Sequence, residues 1–133
     1  MSFDDATGDF TLHASEDAVD EVRRYVNEEF RTEDAGDVAA ARVVDLCIAV
    51  GIAENERRDA QSEYRTGAGS VDEHRVLRTL IEQRHDGKSG EELRKIMRKY
   101  FEGGAQLISQ EITDKGYFEI ERYLPEEVTA ETQ

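Results

Sequence analysis

Val38-Ala-Ala-Ala-Arg-Val-Val-Asp-Leu-Cys-Ile-Ala-Val-Gly-Ile52 is the stretch on which the fold of this chain turns. Only Arg42 and Asp45 interrupt its apolar character, and at a spacing of three they can pair on one helix face. A helix with so little polar surface belongs in the middle of a core or in a dimer interface. Ala39, Ala40, Ala41 and Ala49 would let another helix approach closely.

On the N-terminal side of this helix, residues 1 to 9 read as a flexible acidic lead-in. Phe10-Thr-Leu-His13 alternates over a short stretch and predicts one strand. Ser15 is a good helix N-cap, and Glu16 and Asp17 follow in the first turn, where the helix dipole favours carboxylates. Ala18, Val19, Val22, Tyr25, Val26 and Phe30 then recur at helical spacing. They predict an amphipathic helix over 16–30. Residues 31 to 37 form a polar connection, with Asp37 placed to cap the central helix.

On the C-terminal side, residues 53 to 70 are polar and end in Gly67-Ala-Gly-Ser70, which reads as a helix end and a long mobile loop. Ser70 and Glu73 make a capping-box pattern for a third helix. Its apolar side would be Val71, Val76, Leu77, Leu80 and Ile81, and Gly87 stops it. Ser89 with Glu92 repeats the pattern for a fourth helix lined by Leu93, Ile96, Met97, Tyr100, Phe101, Leu107, Ile108 and Ile112. Gly103-Gly104 in its middle marks either a break or a close backbone approach. Tyr117 to Leu124 fits either a second strand, which would pair with 10–13, or a short helix, and residues 125–133 form a loose acidic tail. The expected class is mainly α: a four-helix domain over 10–124 with one or two short strands, at 10–13 and at 117–123.

The chain has 133 residues, enough for one domain with a real core. Its 31 Asp and Glu against 17 Lys and Arg give a net charge of −14, and 13 of those cations are Arg. Abundant carboxylates with few lysines are what a halophilic cytoplasm selects, because molar salt screens repulsion to about 3 Å. In such a cell total charge says little about nucleic-acid binding, and local positive clusters say more. No leader pattern or membrane-spanning apolar run stands in the sequence, so a cytoplasmic protein with no membrane contact is expected.

Chemistry-bearing motifs are sparse. His13, His74 and His85 show no metal-ligand spacing, and the single Cys47 lies in an apolar run where a buried role fits better than a nucleophile. Gly67-Ala-Gly-Ser70 matches neither a phosphate loop nor a nucleophile elbow. The expectation is a protein with no catalytic residues, no cofactor, no metal and no evident small-molecule substrate.

The clearest anomaly is basic. From Lys88 to Phe101 there are five cations (Lys88, Arg94, Lys95, Arg98 and Lys99) and two carboxylates. Pairs four apart, Arg94 with Arg98 and Lys95 with Lys99, are expected together on the outward face of one helix. Arg75, Arg78 and Arg84 would extend the patch. It reads as a seat for DNA phosphate or an acidic protein partner. A second reading starts from the order strand, helix, helix over 10–52. That is the layout of ribbon-helix-helix regulators, in which two chains pair strands and dimerise, here through the 38–52 helix. Thr11 and His13 would then be the strand side chains facing bases.

Two runs carry a resemblance. Asp45-Leu-Cys-Ile-Ala-Val-Gly-Ile-Ala-Glu-Asn-Glu-Arg-Arg58 and Tyr100-Phe-Glu-Gly-Gly-Ala-Gln-Leu-Ile108 resemble the apolar helix with terminal Arg-Arg and the aromatic-x-x-Gly-Gly signature of small accessory proteins of DNA phosphorothioation (Dnd) systems. The resemblance covers about residues 34 to 113. It implies a non-enzymatic accessory or regulatory protein of a DNA modification or defence system that binds DNA or protein.

Overall fold

The computed structural model describes residues 2–30 and 38–120. In chain order its elements are β1 (Thr11–Ala14), α1 (Glu16–Phe30), α2 (Ala40–Ala53), β2 (Tyr64–Gly67), α3 (Val76–Arg84) and α4 (Gly90–Lys115), with a 3₁₀ turn at Phe3–Asp5 before them. The mainly α class with four helices and short strands is what forms. The 31–37 connection, the end of the expected 117–123 strand and the 125–133 tail lie outside the described residues.

α2 is the core helix. Val43, Val44, Cys47, Ile48, Val50, Gly51 and Ile52 are all buried. α4 packs across it, and the unbroken 26-residue helix resolves the reading of Gly103-Gly104 in favour of close approach. A Cβ on Gly104 would overlap the Cys47 carbonyl oxygen, one on Gly51 the Tyr100 carbonyl oxygen, and one on Gly103 the Glu56 carbonyl oxygen. Each helical glycine costs about 1 kcal/mol against alanine. The approach they permit brings Tyr100, Phe101 and Ile108, all fully buried, into the core that holds Cys47 and Ile48. Burying one such side chain is worth about 1.5–3 kcal/mol, so the glycines are favourable on balance.

α1 buries Ala18, Val19, Val22 and Val26 as its periodicity predicts, but Phe30 at its end is 47 % exposed. The Ser15 hydroxyl turns inward. It donates to Glu102 Oε1 (3.2 Å) and accepts from Gln106 Nε2 (3.1 Å). Glu102 is a buried carboxylate with every approach filled. Its Oε1 also accepts from the backbone N–H of Ser15 (2.9 Å) and Gln61 (2.8 Å), and its Oε2 from Gln106 Nε2 (3.0 Å). One side chain of α4 thus joins the β1–α1 junction to the segment entering β2.

Four expectations need correction. The 53–70 stretch is not all loop: Tyr64–Gly67 forms β2 and pairs antiparallel with β1, with Thr11 opposite Gly67 and His13 opposite Arg65. β1 therefore finds its partner in its own chain, and Tyr117 to Ile120 carry no strand. Secondly, α3 starts at Val76, not near Ser70. Val71 is drawn into the core, and the buried Asp72 carboxylate accepts the N–H groups of Leu77 and Arg78, both at 2.9 Å. Thirdly, Val76 and Leu80, expected on the buried side of α3, are 58 % and 42 % exposed.

Finally, residues 2–9 are held rather than free. Phe3 is buried and stacks on Phe10 with ring centroids 6.1 Å apart, and its N–H donates to Glu82 (2.8 Å). A capping box between Ser2 and Asp5 closes the 3₁₀ turn. No helix among the described residues is long and apolar enough to cross a membrane.

Candidate anion-binding face

The cations of α4 divide by helix geometry. Successive residues are turned about 100° from one another, so the 94/98 and 95/99 stripes cannot share a face. The expectation that all four point outward is corrected by burial: Arg94 is 9 % exposed and Arg98 half-buried, whereas Lys95 and Lys99 are exposed.

Arg94 and Arg98 act as a clamp on the N-terminal segment. Arg94 donates to the carbonyl oxygens of Thr7 (3.3 Å), Gly8 (3.0 Å) and Asp9 (3.4 Å). Arg98 Nε donates to the Thr11 carbonyl at 2.8 Å. Both guanidinium groups lie over the Phe10 ring, 5.0 and 5.3 Å from its centroid. Burial, and then the charge of Arg94, push the Arg98 pKa down. Replacing both by glutamine should free residues 2–10 to proteolysis and lower stability by about 2–4 kcal/mol, since charge-assisted bonds to carbonyls are worth about 1.5–3 kcal/mol each. Limited proteolysis beside a urea titration measures both effects; an uncut N-terminus would contradict the clamp.

Four of the remaining predicted cations have internal or loose carboxylate partners. Arg78 pairs with buried Asp72 (3.1 Å), Arg75 with Asp4 (3.2 Å), Lys88 with Glu92 (3.8 Å) and Lys99 with Asp59 (3.8 Å). On β1, His13 Nδ1 lies 3.1 Å from the Gln61 carbonyl and Thr11 is partly buried. Neither stands out as an exposed reader of bases.

The structure adds residues that the charge count along α4 alone does not reveal. After α2 the chain runs back along α4, where the Arg58 N–H donates to the Lys99 carbonyl (3.1 Å) and Glu56 lies over Gly103. This path sets the Arg57 guanidinium 6.0 Å from the centre of the Tyr100 ring. The end of α3 arrives at the same place. Arg84 donates to the Ile52 carbonyl at the end of α2, and His85 Nε2 sits 2.7 Å from the Tyr100 hydroxyl. Burial, followed by the charges of Arg57, Arg84 and Lys88, holds the His85 pKa below the ordinary histidine value. Arg57, Arg84 and Lys95 are exposed and form no ion pair among the described residues. The sequence signal for this corner was the Arg57-Arg58 doublet, which sequence proximity assigns to a helix end rather than to α4.

No family model, curated protein sequence or solved structure matches this chain. Cys47 is fully buried and burial raises its thiol pKa strongly, which fits its expected place in the core. Among the described residues no group of three His, Cys, Asp or Glu is placed to hold a metal ion.

Proposed function

We propose that this protein is a non-enzymatic accessory or regulatory binding protein that contacts DNA through the outward cations on and beside α4. The face comprises Lys88, Lys95 and Lys99 together with Arg57, Arg58 and Arg84. The observation that carries the reading is charge economy. In a chain of net charge −14, Arg57, Arg84 and Lys95 stay exposed without a carboxylate partner among the described residues. Phosphate contacts from such side chains supply most sequence-independent DNA affinity. The resemblance of 45–58 and 100–108 to Dnd accessory proteins is compatible with a binding role in a DNA modification or defence system, toward DNA or protein. A halophilic cytoplasm is part of the same reading: where screening acts within about 3 Å, only cations in direct contact with phosphate contribute.

Reversing Lys95, Lys99, Arg57 and Lys88 to glutamate should abolish duplex binding while leaving the helical circular dichroism intact. Fluorescence anisotropy across a salt series is the measurement, and the unsubstituted protein should lose affinity steadily as salt rises. Binding that survives the four reversals would remove this face as the site. If the protein binds no duplex yet retains an acidic protein through the same side chains, the partner is protein instead.

A further inference from the structure

We propose that the corner where α3 ends against α4 is a seat for one phosphodiester group, held by Arg57, Arg84 and Lys88 above the His85–Tyr100 pair. The proposal rests on the DNA-binding reading for the source of that group and names the place where the backbone is gripped.

Two chain segments deliver the three cations, because Arg84 and Lys88 flank the single α3–α4 turn. Arg57 comes from the return after α2, Arg84 from the last turn of α3, and Lys88 from the turn before α4. Like charges repel, so their convergence without an anion is costly unless it serves one. None of the carboxylates near the corner offsets the cations' effect on His85. Glu56 is engaged by Arg58 and Glu92 by Lys88, the latter at a loose 3.8 Å, and exposed Asp86 follows the imidazole in sequence.

Hydrogen bonding adds a fourth, neutral contact. Tyr100 is fully buried, and its hydroxyl meets His85 Nε2 at 2.7 Å. With the phenol donating to Nε2, the imidazole is neutral and its proton sits on Nδ1. This tautomer is assigned as part of the proposal, since the 2.7 Å distance fits either direction of donation. Nδ1 has no partner among the described residues, so it is a donor available to a phosphate oxygen beside the guanidinium groups. Protonating the ring would make Nε2–H compete with the phenol proton and leave a buried donor unmatched.

A bound diester would cancel the part of the His85 depression that Arg57, Arg84 and Lys88 cause, while the larger part due to burial would stay. Bound His85 would therefore titrate higher than free His85. The sign follows by linkage: a group whose pKa rises on binding favours binding at low pH, and that gain fades as pH rises through the bound value. The groups facing the ring are Arg84 on its own helix, Lys88 in the following turn, Arg57 from the α2 return and the Tyr100 hydroxyl from α4.

The test is an NMR pH titration of the full chain with dimethyl phosphate, which does not itself titrate in the histidine range. His85→Gln assigns the signal among His13, His74 and His85. The expected result is a perturbation confined to His85, with its pKa raised on saturation. Arg57→Gln should weaken binding roughly threefold to tenfold and reduce that rise. Because Arg57 donates no hydrogen bond to the α2 or α3 backbone, this variant keeps the fold intact where Arg84→Gln could disturb it. Equal responses at His13 and His74, or binding that leaves the His85 pKa in place, overturn the proposal. The DNA arm separates it from the broader reading. Duplex binding that leaves His85 unmoved removes the seat and keeps the DNA-binding face. A diester response at His85 without duplex binding keeps the seat and removes DNA as the partner.

Discussion

Gly104→Ala should cost this protein about 3 kcal/mol or more of stability, the upper end for overpacking. The direction runs against local propensity, because alanine in a helix interior is favoured over glycine by about 1 kcal/mol. The added methyl has nowhere to go: its carbon would overlap the backbone carbonyl of Cys47, and the α2 N–H of Gly51 stands beside it. Backbone cannot step aside as a side chain can, so α2 and α4 would have to separate. Separation would loosen the burial of Tyr100, Phe101 and Ile108 at once. Urea denaturation at constant salt measures the loss. An unchanged or higher midpoint would mean the helices do not approach as described. A control substitution on the exposed face of the same helix, Lys95→Ala, should fall within about 0.5 kcal/mol of the unsubstituted protein.

Glu102→Ala should be the second large effect, at about 3–5 kcal/mol. The substitution leaves the N–H groups of Ser15 and Gln61 without their acceptor, at 1–3 kcal/mol for each buried donor left unmatched. It also opens a void at a position that is 1 % exposed. Glu102→Gln should cost less, about 1–2 kcal/mol. Its amide oxygen can still accept from Ser15 and Gln61, and Gln106 can turn its own amide to present oxygen to the new NH₂ group. The ordering Ala worse than Gln is the informative outcome. Equal losses would show that the charge, rather than the acceptor geometry, secures the junction. Hydrogen exchange at Ser15 and Gln61 should accelerate in the Ala variant ahead of the core of α2, because these two amides lose their own bonds first.

Both residues illustrate how much of the chain can be read without coordinates. Gly103-Gly104 stands out in a helical pattern, but a break and a close contact predict the same letters. Only the position of α2 distinguishes them. Glu102 is one of 31 acidic residues and carries no local mark of burial. Its role depends on Ser15 and Gln61, which are 87 and 41 positions away.

The basic patch was legible as composition and misleading as geometry. Arg94 and Arg98 share a helix stripe, as their spacing of four requires, yet that stripe faces the N-terminal segment. Which side of an exposed-looking helix is covered depends on where Phe3 and Phe10 settle, and the segment containing them was too short and acidic to predict packing. Conversely Arg57 lies in one polar stretch and the adjacent Arg84 and His85 in another, and only the return of the chain along α4 brings them together at Tyr100. β2 was missed for a similar reason. Tyr64-Arg-Thr-Gly67 has too little alternation to announce a strand, and it becomes one because β1 offers an edge.

The apolar run 38–52 determined by itself that its helix would be buried, in the core or in a dimer interface, since burial of so many apolar side chains dominates any local alternative. The spacing along 16–30 likewise determined a helix that turns one face inward, and the spacing along 90–112 an inward face whose continuity through Gly103-Gly104 stayed open. Tertiary structure decided what surrounds them: how near α4 comes to α2, which arginines bind the chain's own carbonyls, and which cations stay exposed without a carboxylate partner among the described residues. The reason is physical. Periodicity reports which face of an element is apolar, whereas the fate of a charge depends on the neighbour that reaches it, and those neighbours come from distant parts of the chain.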